Sequence, residues 1–359
     1  MNQLPALPLV DGALIVSSSF FDVMACPRAQ EYNKLHQRVT ATPSMGLQFG
    51  SILHKAFEMH YRAQEFTDDQ NIISGKVVAV LSEEFAKAQA LFEEGNFRTL
   101  NWAIEIYQQF ARRFQFENFK LLQFDTPIAC PQCRSIMEQD KPKQPCAWCN
   151  GTGKQSLMVE VPFVVKLFEY DNQFSQFDKA IPIYFQGYID LPVLIDDRLF
   201  VLDFKTSFDL GKSFFEEKRM SAQQKSYCLG LQQTTGKDVA GYIVRAFRTK
   251  EPPIYVREGK PSKKGEFKKI EDWWQETFQE ERYLLSPGEL DEWKANSIAQ
   301  VEEFFHYYSL GFFPQKTINC AGRNWKCQYY DVCSTFPVED RLKILGSGLY
   351  KTKEPRMPN

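Results

Sequence analysis

The segment VLDFKTS, residues 201–207, places an acid and a lysine two positions apart within an apolar run. Such a run is typical of a strand in the interior of a sheet, where an unpaired charge is costly. Because side chains two apart on a strand leave the same face, we expect Asp203 and Lys205 to lie side by side. The pair can serve a metal-dependent reaction, or it can be an ion pair without a catalytic role.

A second carboxylate, Asp190, ends the segment GYID shortly upstream. A turn near residues 196–197 predicts a hairpin, which would bring Asp190 and Asp203 to one end of a sheet. Two carboxylates and a lysine suit divalent-metal hydrolysis of a phosphodiester. Asp190 and Asp203 would hold Mg²⁺ or Mn²⁺, and Lys205 would orient the attacking water and stabilise charge that grows on the phosphate.

Nine cysteines are many for a chain in a reducing compartment, where clustered cysteines indicate metal sites. One group has the spacing C-x2-C-x12-C-x2-C and predicts a zinc ribbon. Its members are Cys130, Cys133, Cys146 and Cys149. The other group combines one early cysteine with three late ones, namely Cys26, Cys320, Cys327 and Cys333. Four thiolates suit either zinc or an iron–sulfur cluster.

The apolar periodicity predicts which elements position these residues. Helices are expected from Ser19, across 46–66, twice within 76–118, across 213–234 and across 287–310. Strands are expected within 157–168, 183–195 and 198–207, and near 240–248 and 253–257. The tail from residue 348 is expected to be loosely ordered. Helices before and after a mixed sheet predict an α/β fold.

The composition bounds the class of protein. Apolar residues make up 43% and charged residues 25% of the 359 residues, which is typical of a soluble globular chain. No apolar run approaches the roughly 20 residues that span a bilayer, and the N-terminus lacks the basic region of a signal peptide, so a cytoplasmic protein is expected. The net charge of −2 does not indicate nucleic acid, although the basic segment 257–269 is either a solvated loop or a local contact for it.

Six motifs, in order along the chain, resemble the RecB/Cas4-type branch of the PD-(D/E)XK nucleases. They are SSSFFDVMACPRAQEY, GSILHKAFE, GYID, DFKT, QQKSY and the C-terminal cysteines. The resemblance implies a restriction-endonuclease-like core, with a central mixed sheet flanked by helices, in a single nuclease domain over 1–359. Within it, the zinc ribbon would be an insertion at 126–155, and a cysteine segment at 316–336 would close a cluster with Cys26.

The resemblance also implies roles for individual residues. The implied ligands of Mg²⁺ or Mn²⁺ are His54, Asp190, Asp203 and the carbonyl of Phe204. Lys205 would be catalytic, and Gln223 and Tyr227 would brace the site and touch DNA. Glu160 in VEVPF is a candidate accessory acid.

For Cys26, Cys320, Cys327 and Cys333 the resemblance implies a [4Fe–4S] cluster with a structural role. The six residues between Cys320 and Cys327 depart from the two in the family's pattern, which leaves zinc as the alternative. We expect the cluster, because such distant cysteines would tie the chain ends together as in the relatives.

The function implied is a metal-dependent deoxyribonuclease, of exonuclease type, that acts on single-stranded DNA or free ends in repair, recombination or phage DNA processing. One alternative is a Cas4-like trimming nuclease of a CRISPR adaptation complex. Another is a non-catalytic DNA-binding scaffold, which would have no reason to keep Asp190, Asp203 and Lys205. The zinc ribbon would guide a DNA strand or bind a protein partner.

Overall fold

The computed structural model describes residues 4–23, 26–92, 96–129, 152–171, 179–317, 320–322 and 325–353. The helices in these residues are α1 (Ser18–Val23), α2 (Pro27–Gln30), α3 (Met45–Ala63), α4 (Gln70–Ala88), α5 (Leu100–Arg113), α6 (Lys212–Met220), α7 (Ala222–Thr235), α8 (Ile254–Arg257), α9 (Ile270–Thr277), α10 (Glu289–Ser309), α11 (Tyr330–Ser334) and α12 (Arg341–Leu345). The strands are β1 (Leu14–Val16), β2 (Arg38–Thr40), β3 (Lys120–Leu121), β4 (Gln123–Ala129), β5 (Lys154–Leu157), β6 (Val161–Tyr170), β7 (Ile181–Ile189), β8 (Leu191–Ile195), β9 (Arg198–Ser207), β10 (Val239–Arg248), β11 (Phe278–Leu284), β12 (Ala321–Gly322), β13 (Trp325–Lys326) and β14 (Tyr350–Thr352).

A five-stranded mixed sheet lies at the centre, in the order β11-β10-β9-β8-β3. β9 and β10 are parallel, and the other neighbours are antiparallel. A second sheet has the order β1-β7-β6, and the chain passes from it to the central sheet at Asp190, between β7 and β8. The α/β class and the mixed sheet predicted from the sequence are therefore confirmed.

The side chains of β9 alternate between two apolar layers. Leu199 and Val201 belong to a core shared with β6, β7, α7 and α10, whereas Phe200 and Leu202 belong to a core shared with α3, α4 and α5. This alternation follows from the period of two in a strand. It places Asp203 and Lys205 on the face that α7 covers.

Two predicted elements differ from the structure. The helix predicted over 213–234 is two helices, because Ser221 is extended and its side chain caps the start of α7 by accepting from the backbone N–H of Gln223. The strand predicted near 253–257 was wrong, and this segment forms the short helix α8. The edge of β10 that does not face β9 pairs with β11, a strand that the sequence did not predict. Residues 253–257 therefore cannot pair with this edge.

The tail expected to be loosely ordered contains β14, which pairs antiparallel with β2. Tyr350 lies opposite Thr40 and Thr352 opposite Arg38. The prediction was therefore wrong for residues 350–352, because a local pattern does not reveal a partner strand some 300 positions away.

The predicted zinc ribbon is flanked by two paired strands. β4 and β5 are antiparallel, with Ala129 opposite Lys154, so the insertion leaves and re-enters the fold at one place. Cys130, Cys133, Cys146 and Cys149 lie outside the described residues, and the ribbon stays a prediction. Among the helices that the structure describes, none is both long and apolar enough to cross a membrane.

Candidate active site

His54 reaches the site because α3 lies directly on β9. Gly50, one turn earlier on α3, faces Thr206, and a Cβ atom at this position would overlap Thr206 Oγ1. Only glycine allows so close an approach of the helix to the strand. The contact brings His54 to Asp190, where the chain leaves one sheet for the other.

Two carboxylates converge on the imidazole of His54. Its Nε2 lies 2.8 Å from Asp190 Oδ2, and its Nδ1 lies 3.3 Å from Glu160 Oε1. Asp190 Oδ2 also accepts a 2.8 Å hydrogen bond from the backbone N–H of Phe204. The ligand atoms of His54, Glu160 and Asp190 all lie within 4.8 Å of one another, so one cation can contact all three. Carboxylate oxygens and imidazole nitrogen are common ligands of divalent ions.

Glu160 joins this group through an unusual backbone conformation. Its φ of +53° is in the left-handed region, which a non-glycine residue rarely adopts, and it interrupts the strand predicted over 157–168. The backbone N–H of Glu160 donates to the carbonyl of Asp190 at 2.9 Å. This turn, located between β5 and β6, aims the Glu160 carboxylate at His54, and strain of this kind is common at functional sites.

Asp203 and Lys205 form the pair that the sequence predicts. Lys205 Nζ lies 2.7 Å from Asp203 Oδ1, and Gln224 Nε2 donates to Asp203 Oδ2 at 2.9 Å. Asp203 is fully buried, whereas the Lys205 side chain is 21% exposed and lines a cavity. Burial lowers the pKa of Lys205, but the carboxylates of Asp203 and Asp190 outweigh it and raise the pKa, so the ammonium stays charged. A buried ion pair adds little net stability, which argues for a chemical role.

The electrostatics of the three-residue group favour a cation. Burial lowers the pKa of His54, but the carboxylates of Asp190 and Glu160 outweigh it and raise the pKa to about 10. The imidazolium then places a positive charge beside the ionised carboxylate of Asp190. Burial and the neighbouring carboxylates of Glu58 and Asp190 raise the pKa of Glu160 to about 8. The residues therefore fit a divalent cation, whose binding would displace protons from them.

Gln223 and Tyr227 lie one turn apart on α7, and Gln223 Nε2 donates to the Tyr227 hydroxyl at 2.6 Å. Both line a cavity of about 910 Å³ together with His54, Glu160 and Lys205. The sequence reasoning missed Gln224, which alone of the two glutamines contacts Asp203. The doubled glutamine in QQKSY offered a signal, but choosing between neighbours requires the rotation of α7 about its axis.

The predicted ligands are thus divided between two places. His54 and Asp190 converge with Glu160, while Asp203 is held behind them by Lys205 and Gln224. Phe204 is tied to Asp190 through its backbone N–H.

The four cysteines from the two chain ends are also brought together. Cys26 is buried and lies with Cys327 and Cys333 in an apolar cluster around Tyr329. The backbone N–H of Cys327 donates to the carbonyl of Cys320 at 2.8 Å. Burial and the neighbouring sulfurs, Cys26 first, raise the pKa of Cys333 to about 11. Within the described residues, no three of these sulfurs lie within 4.8 Å of one another.

Comparisons with known proteins found a matching family model and a similar solved structure. The family model of the PD-(D/E)XK nuclease superfamily matches residues 17–334. A solved structure of a candidate exonuclease from Eubacterium rectale is similar, with 12% identity and a TM-score of 0.43 over 91% of this chain and 95% of that chain. Among curated proteins, no match was found.

Proposed function

Since this chain belongs to the PD-(D/E)XK nuclease superfamily, we propose that it is a metal-dependent deoxyribonuclease that degrades DNA from its ends. The observation that supports this most is the convergence of His54, Glu160 and Asp190 beside the charged Lys205 in one cavity. A scaffold that only binds DNA would gain nothing from the cost of burying these charges.

In this proposal, His54, Glu160 and Asp190 would hold Mg²⁺ or Mn²⁺. Asp203 and the carbonyl of Phe204 are the further ligands that the family resemblance implies. When bound, the cation supplies Lewis-acid stabilisation of the charge that develops on the scissile phosphate. His54 and Glu160 must be deprotonated to bind the cation, so the cation competes with protons for these two side chains.

Lys205 supplies the second positive charge. Its ammonium is held by Asp203 on the buried side and faces the cavity on the other. It orients the attacking water and stabilises the phosphate oxygens in the transition state. The linked side chains of Gln223 and Tyr227 lie at the same cavity and flank the substrate strand.

The test is cleavage of end-labelled linear and of circular DNA, single- and double-stranded, with Mg²⁺ or Mn²⁺. We expect linear DNA to be degraded from its ends and circular DNA to stay intact. Lys205→Ala and Asp203→Ala should each lower the rate by about 10²-fold or more. The first removes a charge that stabilises the transition state, and the second removes the carboxylate that holds this charge in place.

The matched control is Lys326→Ala, which removes an exposed lysine from the C-terminal segment. Thermal melting should show that all three variants are folded. If Lys205→Ala cleaves at the wild-type rate, the proposed mechanism is wrong, and if circular DNA is cut as readily as linear DNA, the exonuclease mode is wrong.

We further propose that Cys26, Cys320, Cys327 and Cys333 hold a [4Fe–4S] cluster. The proposal is supported by the apolar cluster in which Cys26 lies with Cys327 and Cys333, and by the nearby Cys320 sulfur, which contributes to the raised pKa of Cys333. Cys130, Cys133, Cys146 and Cys149 would hold zinc, a proposal supported by their spacing and by the pairing of β4 with β5 at the base of the insertion.

A further inference from the structure

The cavity that contains the candidate active site has a second group of charged lining residues. Lys34, Lys351 and Lys353 line it together with His54, Glu160 and Lys205. The three lysines come from both ends of the chain and belong to neither the metal-binding group nor the Asp203–Lys205 pair. Their presence in this cavity therefore needs a separate explanation.

Lys34 is placed where a positive charge is poorly compensated. It is half-buried, its Nζ donates to the carbonyl of Ile15 at 3.2 Å, and it lies 5.4 Å from the centre of the Phe20 ring. Burial and the nearby ammonium of Lys353 together lower the pKa of Lys34 to about 7. In the part of the chain that the structure describes, no carboxylate forms an ion pair with Lys34. An anion that enters the cavity would therefore stabilise the charged form of Lys34.

Lys351 and Lys353 are held at the cavity by the pairing of β14 with β2. Lys351 lies opposite Val39, and the backbone N–H of Lys353 donates to the carbonyl of Gln37 at 2.7 Å. Lys353 Nζ donates to Asn33 Oδ1 at 3.2 Å. Lys351, Thr352 and Lys353 all line the cavity.

We propose that Lys34, Lys351 and Lys353 bind phosphate groups of the substrate strand and so position it in the active-site cavity. This inference rests on the proposed function, since it assumes a nucleic-acid substrate. Lysine side chains clustered in one cavity recognise phosphate, and each phosphate neutralised by a lysine releases counterions. The phosphate is either an internal phosphodiester of the strand or its terminal phosphate.

The experiment measures binding of a fluorescent single-stranded oligonucleotide in metal-free buffer at several salt concentrations, together with kcat and KM in Mg²⁺. For Lys351→Ala combined with Lys353→Ala, we expect weaker binding, and a slope of log Kd against log salt reduced by about 1 for each lysine. KM should rise at least severalfold while kcat stays within about twofold, because the lysines act on the strand and not on the reacting atoms.

The matched control is Lys326→Ala combined with Lys343→Ala, two exposed lysines of the same C-terminal segment that do not line the cavity. It should retain the wild-type slope and KM. The single substitution Lys351→Gln serves as a second variant, because Lys351 is exposed and its loss does not disturb packing. Its slope should fall by about 1.

Oligonucleotides with and without a terminal phosphate distinguish the two phosphate sources. If the wild type prefers the phosphorylated end and the lysine variants lose this preference, the bound group is terminal, and equal losses on both oligonucleotides indicate an internal phosphodiester. Wild-type slopes in both lysine variants would overturn the inference even if DNA is cleaved. Salt-dependent binding that needs the lysines, without any cleavage, would overturn only the proposed function.

Discussion

The buried Asp203 carboxylate is fixed from two sides. Lys205 contacts Oδ1 and Gln224 contacts Oδ2, so each oxygen has one partner of defined direction. Burial of the pair costs solvation energy that the mutual attraction only partly returns. The arrangement is therefore best explained by the precision with which it holds the Lys205 ammonium at the cavity.

Gln224→Met should show this positioning role. Methionine fills a similar volume but cannot donate to Asp203, so the carboxylate and Lys205 would lose their fixed orientation. We expect kcat to fall by about 10- to 100-fold, as is typical when a hydrogen bond to a site carboxylate is removed. Titration of activity with Mg²⁺ should also show weaker cation binding.

Gln223→Met is the matched substitution on the neighbouring residue. Gln223 contacts Tyr227 and the cavity but not Asp203, so its loss should raise KM more than it lowers kcat. Equal effects of the two substitutions on kcat would show that Gln224 has no special role.

The close packing of α3 on β9 determines where His54 lies. Gly50→Ala should push the helix away from Thr206, because the added Cβ overlaps Thr206 Oγ1. Overpacking of this kind costs roughly 1–3 kcal/mol of stability. Cleavage should fall as well, since His54 is one turn from the contact, and urea unfolding together with the cleavage assay checks both effects.

Two further variants test this explanation. Thr206→Ala removes the atom that is overlapped, so Gly50→Ala combined with Thr206→Ala should regain most of the lost stability. Gly75→Ala on α4 is the control, because a Cβ there meets nothing within 4 Å and the substitution should stabilise the helix by about 0.5–1 kcal/mol. No rescue by Thr206→Ala would contradict the packing argument.

The two ends of the chain meet around Tyr329. Its hydroxyl donates to the carbonyl of Arg38 on β2 at 2.6 Å, and its ring stacks on Tyr350 of β14 at 5.9 Å. Cys26 belongs to the same apolar cluster as Tyr329, and Cys327 packs against that cluster. A metal centre there would thus support the pairing of β2 with β14, the strand that carries Lys351. Loss of the metal should therefore weaken substrate binding more than it slows the chemical step.

Metal analysis of protein purified without oxygen tests both cysteine sites. We expect brown protein with about four iron, an equal amount of sulfide and about one zinc per chain. Cys26→Ser should remove the iron and lower the stability, because the binding energy of a structural metal is folding energy. KM for DNA should also rise in this variant.

Cys146→Ser combined with Cys149→Ser is the reciprocal variant and should remove zinc while iron and cleavage of short DNA remain. Zinc that persists in this variant would contradict the ribbon. If the anaerobic protein is colourless and stable and contains about two zinc per chain, the four cysteines from the two chain ends hold a second zinc ion and not a cluster.

The sequence by itself determined the features that depend on local geometry. A period of two along β9 places Asp203 beside Lys205, and the turn at Asp196 and Asp197 returns the chain as a hairpin onto the strand that follows Asp190. These predictions succeeded because they involve residues a few positions apart on one strand or in one hairpin. The order of the motifs likewise predicted the superfamily, which the family model confirms.

The tertiary structure alone decided which distant groups complete the site. Glu160 enters through a left-handed turn, Gln224 and not Gln223 faces Asp203, and β14 pairs with β2 to bring Lys351 to the cavity. None of these follows from a local pattern, because each depends on how helices and sheets from separate parts of the chain pack together. A helix rotated by one residue, or a strand without its partner, would keep the same sequence motifs and lose the site.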